Sequence, residues 1–80
     1  MSDERLIREA ELVSLAKRYR VKAKKTRARA AREMGVSQTA IFHAEESPQK
    51  SLAKLRVRMI EAYSPFTVVN ALFLRRKRPR

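Results

Sequence analysis

The chain has no cysteine and no tryptophan, and only one glycine and three prolines in 80 residues. Without cysteine there is no disulfide and no thiolate metal site. A domain this short buries only about 60% of the surface its unfolded chain exposes, so oligomerisation is the usual remaining route to a larger core. No stretch approaches the roughly 20 apolar residues that span a bilayer. The opening "MSDERLIREAE" is charged throughout and holds no signal-peptide core. A cytoplasmic protein with no membrane partner is the expectation. A single histidine, no glycine-rich phosphate loop and no carboxylate pair in a recognisable setting argue against an enzyme. No cofactor and no metal site is expected.

What the chain has in excess is positive charge, a formal +12. Its distribution matters more than its size. Lys17, Arg18, Arg20, Lys22, Lys24, Lys25, Arg27, Arg29 and Arg32 fall within residues 17–32, with no acid among them. The last six residues, "RRKRPR", add a second basic block. Concentrated positive charge attracts polyanions, of which nucleic acid is the commonest in cells. The absence of an aromatic stacking platform argues against single-stranded RNA.

Hydrophobic spacing predicts helices. One helix, or two nearly continuous ones, is expected over residues 3–24, with Ser2 as cap and Asp3 and Glu4 in the first turn. Leu6, Ile7, Ala10, Val13 and Lys17 follow one helical stripe, and Leu12, Leu15, Ala16, Tyr19 and Ala23 form a second, partly overlapping one. Thr26 caps "RARAAREM", a run of strong helix formers. Gly35 stops that helix, since glycine takes left-handed backbone angles without Cβ strain. Ser37 caps "QTAIFHAEE", which ends before Pro48. Ser51 opens "SLAKLRVRMIEAY", with Leu52, Leu55, Met59 and Ala62 on one face and Val57 and Ile60 beside it.

Helix, glycine turn, capped short helix is a helix-turn-helix. Ala31, Gly35 and Ile41 carry it: a small residue where the helices meet, the turn, and an anchor for the second helix. Ala30, Met34, Val36 and Ala44 fill the other inward positions. Gln38, Thr39, Phe42 and His43 lie between them, facing out. Phe42 is expected to pack against the following helix rather than meet a thymine methyl.

With "YRVKAKKTRARAAREMGVSQTAIFHAEES" followed by a helix beginning "SLAKL", the chain resembles the phage repressor and Cro family of helix-turn-helix proteins, the XRE type, over about residues 12–62. The resemblance implies an all-α, lambda-repressor-like domain of four to five helices, here with a short C-terminal β-strand. It implies that Gln38 opens the recognition helix, with Thr39 and His43 as further base-reading positions. It implies a structural salt bridge between Arg20 and Glu45, and an Arg27 that faces DNA phosphate. Lys24, Lys25, Ser37 and Lys50 flank the motif as further phosphate ligands. Two departures stand out. The family's usual Gly-Leu pair before the second helix is Lys24-Lys25 here, and a core Leu of that helix is Ala30.

"FTVVNALFL", residues 66–74, favours a strand, and no second strand is visible. A lone apolar edge invites pairing with the same strand of another molecule. Phe66, Val68, Val69 and Leu72 are therefore the expected dimer contacts; the alternative is that 66–74 packs on its own domain. The expected organisation is a helix-turn-helix domain over 1–64 with an N-terminal helical extension, a dimerisation strand over 65–74 and a basic tail over 75–80. Together these point to a homodimeric regulator, a repressor, that binds an inverted repeat in double-stranded DNA. An antitoxin that also neutralises a protein toxin is the alternative.

Overall fold

The computed structural model describes residues 4–69 and 73–77. Along them run β1 (Glu4–Leu6), α1 (Glu9–Lys22), α2 (Arg27–Met34), α3 (Gln38–Glu46), α4 (Ala53–Tyr63), β2 (Phe66–Val69) and β3 (Phe73–Arg76). The domain is mostly helical, with one small antiparallel sheet in the order β1-β3-β2.

The ends of α2 and the start of α3 fall at the expected caps, and the other termini are fixed by local hydrogen bonds. The Glu11 carboxylate accepts the Arg8 backbone N–H at 3.2 Å before α1. The hydroxyls of Thr26 and Ser37 accept the N–H groups of Arg29 and Ala40, both at 3.0 Å, and so cap α2 and α3. Gly35 ends α2 at φ 70°, ψ 35°. There Gly35 N–H donates to Arg32 O, and Val36 N–H to Ala31 O. This paired closure is the Schellman turn, which satisfies carbonyls that a helix end leaves open. Lys24 takes φ 61° after α1, and its N–H and that of Lys25 close the same pair of bonds onto Val21 O and Arg20 O.

The core is shared by all four helices. Leu12, Leu15 and Ala16 of α1 meet Ala30, Ala31 and Met34 of α2, Ile41 and Ala44 of α3, and Leu55, Met59 and Ile60 of α4. Ile7, between β1 and α1, is buried with them. The second of the two stripes read from α1 supplies Leu12, Leu15 and Ala16 to the core, and Ile7 and Val13 of the first are buried as well, while Ala10 is exposed.

Three features differ from the sequence expectation. The first helix starts at Glu9, not near residue 3, because Glu4, Arg5 and Leu6 pair with Arg75, Leu74 and Phe73 of β3. There the β-ladder, rather than a further helical turn, bonds the backbone of residues 4–6. Ser2 and Asp3, the expected cap and first turn, lie outside the described residues. The last helix starts at Ala53 rather than Ser51. On it Ala62 is exposed, and Arg56 takes a buried position beside Met59 and Ile60.

The third difference concerns residues 66–76. The segment is not one unpartnered strand: β2 pairs with β3, with Phe66 opposite Arg76 and Val69 opposite Phe73. Phe66 and Val68 pack against the core of their own chain, and the Phe66 and Tyr19 rings lie 6.0 Å apart. Arg75 and Arg76 belong to β3 rather than to a basic tail. Lys77 N–H donates to Pro65 O at 2.7 Å and extends the ladder. That bond sets the alternation, leaving the N–H groups of Phe66 and Val68 on the outer edge of β2. Both are occupied there: Phe66 N–H by the Ser64 hydroxyl and Val68 N–H by the Glu61 carboxylate, each at 3.1 Å. Both of these outward donors therefore have partners within the chain. Leu72, the remaining expected dimer contact, lies outside the described residues, as do residues 78–80.

Candidate nucleic-acid interface

The α2–Gly35–α3 unit presents one face of α3 outward. Ile41, Ala44 and Glu45 are buried on its inner side. Gln38, Thr39, Phe42 and Glu46 are exposed, and His43 is half-buried. Helical spacing of three and four residues lines up 38, 39, 42, 43 and 46 on that side. Gln38 and Thr39 make no side-chain hydrogen bond among the described residues and are open to a ligand. His43 is more committed: its Nδ1 and the Ser47 hydroxyl lie 3.0 Å apart. The Ser37 oxygen is used as the α3 cap, which leaves its hydroxyl hydrogen free to donate.

Phe42 departs from the expected packing against the next helix. It is 44% exposed. The Arg27 guanidinium stands over its ring at 5.2 Å, and the His43 ring meets it edge-on at 5.6 Å.

Behind this face lies a knot of charge. Arg20 Nη2 donates to Glu45 Oε1 at 3.0 Å, its Nε donates to Glu45 Oε2, and Nη1 reaches the Lys25 carbonyl at 2.7 Å. The α1 arginine and the α3 glutamate therefore meet in a buried, two-pronged ion pair, with the Glu45 side chain fully enclosed. Arg27 joins it, donating to Glu45 Oε1 and Glu46 Oε2, both at 3.1 Å. Lys17 holds Glu46 at 2.6 Å. That bond, with the Lys17 and Arg27 charges, keeps the Glu46 carboxyl below its ordinary range.

The basic run of residues 17–32 is thus not a bare positive surface. Lys17, Arg20 and Arg27 answer Glu45 and Glu46, while Lys25 and Arg29 answer Glu33. Arg27 and Lys25, expected on phosphate, spend their charge inside the chain. Arg18, Lys22, Lys24 and Arg32 carry no ion pair among the described residues, and neither does Lys50 beyond α3. These exposed cations, and Lys54 on α4, are open to a polyanion. Apart from the i,i+4 pair of Arg29 with Glu33 inside α2, this sorting is not visible in a run of one-sign charge, because Glu45 and Glu46 come from another helix.

Two arginines of α4 hold the unit together, and the sequence reading assigned neither a role. Arg56 is 1% exposed. Its Nε donates to Ala44 O at 2.9 Å, Nη2 to Ser47 O at 2.8 Å and Nη1 to Lys50 O at 3.1 Å. It satisfies carbonyls at the end of α3 and in the loop beyond, where the helix dipole favours a cation. Arg58 Nη2 donates to Met34 O at 2.8 Å, at the end of α2. The signal for Arg56 was present: it sits three and four residues before Met59 and Ile60 on their stripe.

Among the described residues no helix is long and apolar enough to cross a membrane. No protein-family description, curated protein or solved structure matches the chain.

Proposed function

We propose that this protein is a non-catalytic, sequence-specific double-stranded-DNA-binding regulator, with a lambda-repressor-like helix-turn-helix domain, that acts as a repressor. Support comes from one relationship above all. α3 is gripped from behind by Glu45, Ile41 and Ala44 and by Arg56 at its end, while Gln38 and Thr39 stand unbonded on its outer face. A helix of this kind fits the major groove, where Gln can bond adenine N6 and N7 together and Thr can meet a base edge or a thymine methyl. Arg32, Lys24, Lys50, Arg18 and Lys22 supply phosphate neutralisation, which makes the affinity fall with salt. His43, tied to Ser47, acts at a base edge only by exchanging that bond.

A homodimer would set two recognition helices about 34 Å apart, one turn of duplex, and so read an inverted repeat. With the outer donors of β2 occupied, the other edge strand, β1, and the surface of α4 are the places for such a contact.

Selection of bound duplexes from a random pool tests this function. An enriched site with two-fold symmetry is expected. Gln38→Ala should cost about 1–3 kcal/mol on that site and little on random DNA. Lys50→Ala should weaken both and flatten the salt slope. A pool that never enriches removes the DNA-reading function.

A further inference from the structure

Phe42 is an anomaly in a chain with so small a core. Only it and Val21 are large hydrophobic residues left exposed among the described residues. Its ring is also held in place: the Arg27 guanidinium lies over it, and the His43 ring braces its edge. Arg27 is in turn fixed by Glu45 and Glu46, so its charge is answered locally and its plane serves as a shelf for the ring. The result is a rigid apolar group on the outward face of α3, one helical turn beyond Gln38.

In the major groove, base edges offer one apolar group, the thymine 5-methyl. Four residues of helix rise about 6 Å, close to two base steps of 3.4 Å. From the exposure of Phe42, its bracing and this spacing, we infer that Phe42 is a specificity-determining residue that reads a thymine methyl within about two base pairs of the adenine met by Gln38. The inference rests on the DNA-reading function proposed above.

The test uses the duplex enriched from the random pool, with each thymine replaced in turn by deoxyuridine, which removes only the methyl. For the full chain, one such replacement, within two base pairs of the adenine on which Gln38→Ala depends, should weaken binding about fourfold, the worth of one buried methyl. Phe42→Ala should bind the thymine and uracil duplexes equally, and Phe42→Leu should restore part of the difference. A melting curve for each variant checks the fold, which an exposed side chain should leave intact. If no uracil position matters, or if the same position matters as much in Phe42→Ala, the assignment of Phe42 is overturned while DNA reading by Gln38 stands. If no duplex is enriched at all, both fall together.

Discussion

Lys24 and Gly35 occupy the same position in two copies of the same turn. Each follows a helix, each has positive φ, at 61° and 70°, and each is followed by a residue whose N–H closes back onto the helix. The sequence supplied glycine at one and lysine at the other. A residue with a Cβ strains in this region by roughly 1–2 kcal/mol.

The two positions should therefore respond in opposite directions. Lys24→Gly should stabilise the fold by about 0.5–1 kcal/mol, the relief of strain less the greater freedom of an unfolded glycine. Gly35→Ala should destabilise it by about 1 kcal/mol, and Gly35→Val by more. A Cβ at Gly35 meets nothing within 4 Å, so the penalty there is one of backbone alone. Chemical denaturation of the variants measures both, and a stabilising Gly35→Ala would contradict the account.

Arg56 should be among the most sensitive positions in the chain. Its replacement by Met keeps much of the volume but leaves the carbonyls of Ala44 and Ser47 without their charged donor. Hydrogen bonds to charged groups contribute about 1.5–3 kcal/mol each, so a loss of at least 3 kcal/mol is expected in urea unfolding. A variant within 1 kcal/mol of the parent would show that the loop after α3 finds other partners.

The Arg20–Glu45 pair invites a double-mutant cycle. Breaking a buried ion pair from one side costs about 3–5 kcal/mol, because a charge is stranded. Glu45→Met should behave so, for it strands Arg20. Replacing both with Met should recover most of that loss. Equal stability of the single and double variants would mean that Arg27 and solvent already compensate.

Stability should fall at both ends of the pH range through the Tyr63–Glu33 pair and the burial of Tyr63. Tyr63 donates its hydroxyl to Glu33 at 2.7 Å, and Arg29 donates to the same carboxylate at 3.0 Å. Tyr63 first, then Arg29 and Lys25, lower the Glu33 pKa from 4.5 to about 2. Burial first, and then Glu33, raise that of Tyr63 from 10.0 to about 12. A depressed carboxyl stabilises the fold above its unfolded pKa, and the gain is lost as pH drops from 4.5 towards 2. A raised phenol stabilises it below pH 10, and that gain is lost as pH climbs towards 12. Glu33→Gln should remove this group's acid limb from a plot of Tm against pH and only lessen the alkaline one, since burial of Tyr63 remains its larger cause; an acid limb that stays unchanged would exclude the contact as its source.

The outer edge of β2 should open when its caps are removed. Glu61→Val deletes the carboxylate that occupies the Val68 N–H and the Thr67 hydroxyl. An exposed strand edge with free donors recruits other strands. Sedimentation should show more self-association, increasing with concentration, than in the parent. An unchanged distribution would mean that the edge is shielded by something other than Glu61.

Much was legible along the chain because it is local. The caps at Thr26 and Ser37, the Gly35 turn and the inward faces of α2 and α3 depend on residues a few positions apart, whose physics is that of one helix end. The exposure of Gln38 and Thr39 follows from the burial of Ile41 and Ala44 on the other side. The rest was settled by partners distant in sequence. Residues 4–6 read as helical until β3 offers them a ladder some 70 positions away. "FTVVNALFL" looked unpartnered because its pairing with β3 turns within the run itself and reaches into residues that read as a basic tail. Arg27 and Lys25 read as phosphate ligands until α3 and α2 brought Glu45, Glu46 and Glu33 beside them. Composition fixes how much charge the chain carries, and local sequence fixes where helices stop. Which charges are left for a partner depends on distances across the fold, and those exist only once the helices have packed.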